Sequence, residues 1–160
     1  MMFISQQDYI PPGTLRAALA HPTQPSQFAN EEYAAALERM KLGHLAQDLD
    51  RAARWEQELS HEDQHKLAFA RLVLHRPRWI ILNEAIEYLD EDTRSLVLDV
   101  FDKELACAAI VSIGQPDTHG GSFSRVLHLI EDREGPRLAP PTARSMPAPT
   151  AKRKPSTTSP

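Results

Sequence analysis

Two clusters in this 160-residue chain carry side chains that could do chemistry. His61-Glu62-Asp63-Gln64-His65 fits H-E-x-x-H, in which two histidines one helical turn apart ligate a zinc ion and the glutamate activates a bound water. The second cluster is Asn83-Glu84, which closes the apolar run Trp79-Ile80-Ile81-Leu82 and leaves a carboxylate where a strand ends. A similar polar group, Gly114-Gln115-Pro116-Asp117, follows the apolar run that ends at Ile113. In parallel sheets the chemistry sits beyond the carboxyl ends of the strands, which directs attention to both polar groups.

A zinc site needs a third protein ligand, and Glu84, nineteen residues after His65, is the candidate; "NEAI" looks like the downstream glutamate segment of thermolysin-type peptidases. In that family the glutamate lies on a helix, whereas Glu84 directly follows a proline-led apolar strand. Tyr88 stands where an aspartate is expected, and the first sixty residues hold no counterpart of the family's substrate-aligning sheet. The longer H-E-x-x-H-x-x-G-x-x-H pattern also fails, because Ala68 and Arg71 occupy its glycine and histidine places. The competing reading is a pair of histidines on a helix surface.

The elements that must position these groups are legible in the pattern. "MMFISQQDY" opens with a strand-like run, "IPPGT" turns the chain, and "LRAALA" starts a short helix. Asn30 is expected to cap a helix with apolar positions at Tyr33, Leu37 and Met40, which Gly43 divides from a second piece reaching Leu45. Ser60 caps a third helix, with Asp63 as its capping-box partner, and the helix runs on to Pro77. "WIIL" has the composition of a strand buried on both faces. A helix over "DEDTRSLVLDVFDKEL", a strand over "AAIVSI" and a third strand over "RVLHLI" complete an alternation that implies βα units and a parallel sheet.

Composition narrows the function classes. After Glu134 come seven of the 13 prolines and five basic residues with no acidic one, so residues 134–160 are expected to form a disordered tail. Taking those five cations from the 18 leaves 13 basic against 22 acidic residues, a body charge of −9 that excludes a nucleic-acid binder. The Lys152-Arg153-Lys154 run is too short to change that. A lone cysteine, Cys107, permits no intrachain disulfide and suits a reducing compartment. The apolar runs are too short to span a bilayer, so a membrane role is expected to pass through a partner, with the chain cytoplasmic or peripheral at the inner face of the cell membrane.

The longer stretch "WEQELSHEDQHKLAFARLVLHRPRWIILNEAIEYLDED" resembles the signature-to-D-loop segment of ABC transporter ATPase domains, where L-S-x-G-E-Q-Q-R-L-A-F-A-R is expected. It is most similar to the fused membrane-ATPase subgroup that includes vitamin B12 and BacA-type peptide transporters. "MFISQQDYIPPGTLRAAL" looks like the glutamine loop, "IVSIGQPD" like the switch segment, and "FSRVLHL" like the strand after it. The resemblance implies an α/β fold: an incomplete P-loop NTPase of ABC type, a helical subdomain plus part of a mostly parallel sheet. It assigns residues 1–133 to the C-terminal part of the domain. Within it, residues 14–58 are the helical subdomain, 59–76 the signature helix, 78–90 the Walker B strand and D-loop, and 109–130 the switch segment and last strands.

The family's work is ATP binding and hydrolysis driving transmembrane transport, with ATP and magnesium as cofactors, and a membrane domain and a second ATPase domain as partners. By resemblance Glu84 is the general base, Gln115 the switch position, Gln6 the glutamine-loop residue, Ser60 and Glu62 belong to the signature, Asn83 to Walker B and Asp90 to the D-loop. Three of these depart from the pattern. Glu62 replaces a glycine beside the γ-phosphate of a partner's ATP, Asn83 replaces the magnesium-binding aspartate, and Gln115 replaces the switch histidine. The 160 residues contain no G-x-x-x-x-G-K-[ST] phosphate loop, and Met1 stands almost at the glutamine loop. The expectation is a chain without ATPase activity of its own, with an interaction module for an intact transporter subunit as the alternative.

Overall fold

A computed structural model describes residues 1–6, 8–87, 89–114, 123–125, 127, 129, 130, 135, 137 and 138. It divides into two units, residues 1–122 and 123–160. In the first, three strands form a parallel sheet in the order β1-β4-β5: β1 is Met2–Ser5, β4 Trp79–Asn83 and β5 Ala109–Ile113. Register is level across the sheet, with Phe3 opposite Ile81 and Ile81 opposite Val111. The expected parallel α/β arrangement is therefore present.

Residues 15–58 lie between β1 and the long helix that begins at His61. They are bracketed by a two-residue antiparallel pair, β2 (Gly13–Thr14) with β3 (Ala52–Ala53), which no sequence pattern announced. Gly13 takes φ +126, a backbone conformation reserved for glycine, and its carbonyl accepts from the Trp55 indole at 3.0 Å. Helix α1 (Leu15–Ala20) starts at Thr14, whose hydroxyl accepts the Ala17 N–H. Helix α2 spans Asn30–Arg39, so Asn30 is its first helical residue and not the cap that was expected. The Asn30 side chain accepts from Arg16 instead, and Glu32 reaches back to the Ala29 N–H at 2.8 Å. The break after α2 falls ahead of Gly43, at left-handed Lys41, and a 3₁₀ turn covers Gly43–Asp48. A Cβ on Gly43 would meet the Glu38 carboxylate, the far end of a flexible side chain that can swing aside.

After the short helix α3 (Trp55–Glu58), α4 spans His61–His75 and packs its apolar face, Leu67 to Leu72, against α1 and α2. Left-handed Arg76 ends it ahead of Pro77. Helix α5 (Glu91–Lys103) buries Val97, Val100 and Phe101. Arg39 ties α2 to α5 through Asp99 and Glu104.

One expectation about the sheet fails. Strand β4 buries Ile80 and Leu82 but leaves Trp79 56% exposed, so it is covered on one face and not on both. The level register puts Phe3 (56% exposed), Ile81 and Val111 (46%) in one row on that open face. Burial therefore falls on the Ile80 and Leu82 face, while the Phe3, Trp79 and Val111 side chains of the opposite face stay exposed.

In the second unit β6 (Leu129–Ile130) pairs antiparallel with β7 (Arg137–Leu138). The strand expected over "RVLHLI" is thus present in its last two residues. β7 falls inside the stretch expected to be a tail; apart from β7 and Gly135, that stretch lies outside the described residues.

Candidate functional site

The three parallel strands end in register, Ser5 opposite Asn83 and Asn83 opposite Ile113. Gln6, Glu84 and Gly114 are the next residues of their chains, so the fold brings Gln6 and the Asn83-Glu84 pair to one edge of the sheet. Glu84 is exposed, and its N–H donates to the Ile113 carbonyl at 2.8 Å, which adds one rung beyond the strand. It does so in a left-handed conformation, φ 53, that costs a non-glycine residue energy. Buried Ala85, Ile86 and Leu89 then anchor the turn that follows, and the strain is held in place by their packing. Gln115 lies outside the described residues, as do the following residues of the switch segment up to Ser122.

Asp90 serves α5 as its N-cap, with its carboxylate accepting the Thr93 N–H at 2.9 Å. Hydrogen bonds from the Thr93 side chain and backbone hold the carboxyl below the usual aspartate range. Arg94 steadies the turn from behind by donating to the Leu89 carbonyl at 2.8 Å. The Glu87 carboxylate occupies the space beside Gly114, where an added Cβ would strike it.

At the start of α4, the Ser60 hydroxyl accepts the Asp63 N–H at 3.1 Å and caps the helix. Glu62 and Asp63 sit in the first turn, where the helix dipole favours anions, and Glu62 pairs with Lys66 one turn on. The exposed backbone at the start of α4 therefore already carries its own negative charge. The His65 Nε2 lies 2.9 Å from the Gln6 carbonyl. That placement corrects the zinc reading. His61, His65 and Glu84 are not gathered around a common point, and among the described residues no three histidine, cysteine or acidic side chains are placed to hold a metal ion. Four-residue spacing puts two histidines on one face but does not bring a third ligand to them.

Two participants escaped the sequence reading. Arg71 is 6% exposed in the middle of the apolar face of α4; its Nε donates to the Ala18 carbonyl at 2.8 Å and its Nη1 to the Tyr9 carbonyl at 3.0 Å. Asp8 is half-buried, and its Oδ1 accepts the Ser5 N–H at 3.1 Å. Burial raises the Asp8 carboxyl, against the Ser5 hydrogen bond and the positive charge of Arg71; burial lowers the Arg71 guanidinium, and Asp8 opposes that. The available signal was a lone arginine inside "LAFARLVL", a charge that a buried helix face retains only with partners.

No family profile matches the chain. Individual relatives do. The chain is 36% identical over 117 residues, 73% of its length and 20% of the relative's, to an uncharacterized ABC transporter ATP-binding protein of Haemophilus influenzae. A second such protein of that organism is 31% identical over 118 residues, again 73% of the chain and 20% of the relative. The inner membrane ABC transporter ATP-binding protein YddA of Escherichia coli is 27% identical over 111 residues, 69% of the chain and 20% of that protein. The matched part of the chain has the sequence of an ABC transporter ATPase domain, and the parallel sheet with flanking helices is compatible with a P-loop NTPase. The chain spans about one fifth of the length of these curated relatives.

Proposed function

We propose that residues 1–133 are the C-terminal part of an ABC-type ATPase domain that takes part in ATP-driven transport without hydrolysing ATP by itself. In this reading residues 14–58 are the helical subdomain, 59–76 the signature helix, 78–90 the Walker B strand and D-loop, and 109–130 the switch segment and last strands. Residues 134–160 form an appended basic tail. The observation that supports it best is the level ending of β1 and β4, which sets Gln6 beside Asn83 and Glu84. Gln6 would touch magnesium and couple to the membrane domain, Glu84 would orient the attacking water, and Asp90 and the Ser60–Glu62 turn would face a second ATPase domain.

Chemistry argues against turnover by this chain alone. Phosphate binding needs a cradle of backbone N–H groups with a lysine, and residues 1–160 contain no such loop. Asn83 keeps the shape of the magnesium ligand and loses its charge, and Glu62 sets a carboxylate where a phosphate would approach. ATP and magnesium are therefore ligands of the assembled site, which needs a phosphate loop supplied from outside these residues. None of the helices of the described residues is long and apolar enough to cross a membrane, so the link to transport runs through a membrane domain, on its cytoplasmic side. The test is ATP turnover by the purified chain with magnesium. Activity at background is expected; turnover that Glu84→Gln abolishes would overturn the proposal.

A further inference from the structure

Helix α4 touches the chain after β1 at two points, both on main-chain carbonyls. His65 reaches the Gln6 carbonyl and Arg71 the Tyr9 carbonyl, at 2.9 and 3.0 Å, across 59 and 62 residues of sequence. Arg71 also holds the end of α1 through Ala18. Asp8 lies between the two contacts in sequence, and its Oδ1 accepts the Ser5 N–H. Backbone carbonyls are reached whatever side chain the loop carries, so these bonds fix the path of the loop and leave the Gln6 amide free to point at a ligand.

We propose that His65 and Arg71 are positioning residues that clamp Gln6 and Tyr9 to α4, so that those two residues and the helix carrying Ser60 and Glu62 move as one body. The inference rests on the reading of Gln6 and the α4 start given above, and it adds the physical link between them: a shift of α4 imposed at its N-terminus would be felt at Gln6 through side chains one and a half turns apart on the same helix. Arg71 is the buried anchor, and His65 is the half-buried latch.

Amide hydrogen exchange on the full chain tests the clamp. His65→Phe removes the ring N–H donor while keeping a flat side chain, and the loss of one such hydrogen bond is expected to accelerate exchange at Asp8, Tyr9 and Ile10 about fivefold to tenfold. Amides of α5 should keep their protection. His65→Gln, which restores a donor to the carbonyl, should return the loop to within about threefold of the native rate. Arg71→Lys, which keeps the charge and loses the fork, should accelerate the same three amides and leave α5 unchanged. Unchanged exchange at Asp8 and Tyr9 in His65→Phe, uniform acceleration across the whole unit, or failure of glutamine to rescue would each overturn the clamp. Failure of the functional reading would look different: Gln6→Ala keeps the carbonyl and the clamp, so normal loop exchange with no effect on nucleotide turnover in an assembled cassette would remove the role of Gln6 and leave the clamp standing.

Discussion

Replacing Glu62 by glycine restores the residue that the signature pattern calls for, and it should destabilise the chain. Glu62 occupies the second helical position of α4, two residues after the Ser60 cap, with its carboxylate in the first turn and paired to Lys66. Removing the anion forfeits about 0.3–1 kcal/mol of interaction with the helix dipole. The i,i+4 pair, with Glu62 57% exposed, adds about 0.3–0.5 kcal/mol. Glycine in place of a good helix former costs up to about 0.5–1 kcal/mol more. The sum for Glu62→Gly is about 1–2.5 kcal/mol; for Glu62→Gln, which keeps the propensity and loses only the charge, it is about 0.5–1.5 kcal/mol. With a urea dependence near 2 kcal/mol per molar, the glycine variant should lower the midpoint by about 0.5–1.2 M, and high salt should narrow the gap between glutamine and native protein. A glutamine variant as stable as the native chain would refute the charge argument, and a glycine variant no worse than glutamine would refute the propensity argument.

Left-handed Glu84 should gain from glycine: Glu84→Gly is expected to raise stability by about 0.5–1 kcal/mol despite the freer unfolded chain, whereas branched Glu84→Val lowers it by about 1–2 kcal/mol, both read by thermal unfolding. Asp90→Ala should cost about 1 kcal/mol near pH 7 as a lost N-cap, and Asp90→Asn much less. Because the folded state holds the Asp90 carboxyl below its ordinary value, its contribution is complete above about pH 4 and disappears as pH falls through the lower folded value, so native and Asp90→Ala melting curves should converge in acid. Phe3→Ser combined with Val111→Ser should cut the binding of a hydrophobic fluorescent dye by about half or more with circular dichroism unchanged; undiminished dye binding would show that this face is covered in solution.

Much of the fold was readable because its signals are local. Ser60 caps α4 by satisfying the Asp63 N–H three residues on, and "WIIL" and "AAIVSI" are short apolar runs between helical periods, the pattern of a parallel sheet. Asn30 misled for an equally local reason: it is a good cap by type, but Arg16, fourteen residues away, competes for its side-chain oxygen. The histidine pair misled because spacing reports which residues share a helix face and says nothing about what faces them. "WIIL" predicted burial on both faces because composition measures apolarity alone. The structure covers one face and leaves Trp79, Phe3 and Val111 in the open.

The amino-acid sequence by itself determined the alternation of the main strands and helices, the Ser60 cap of α4, and the succession of polar groups that relates the chain to ABC transporter ATPase domains; each depends on neighbours within a turn or two. Only the tertiary structure decided which side chains meet. It levelled Ser5 with Asn83 and Ile113, set His65 on the Gln6 carbonyl, and buried Arg71 between Ala18 and Tyr9. Those partners are tens of residues apart, and a period of two or 3.6 residues holds no record of distances that only packing fixes.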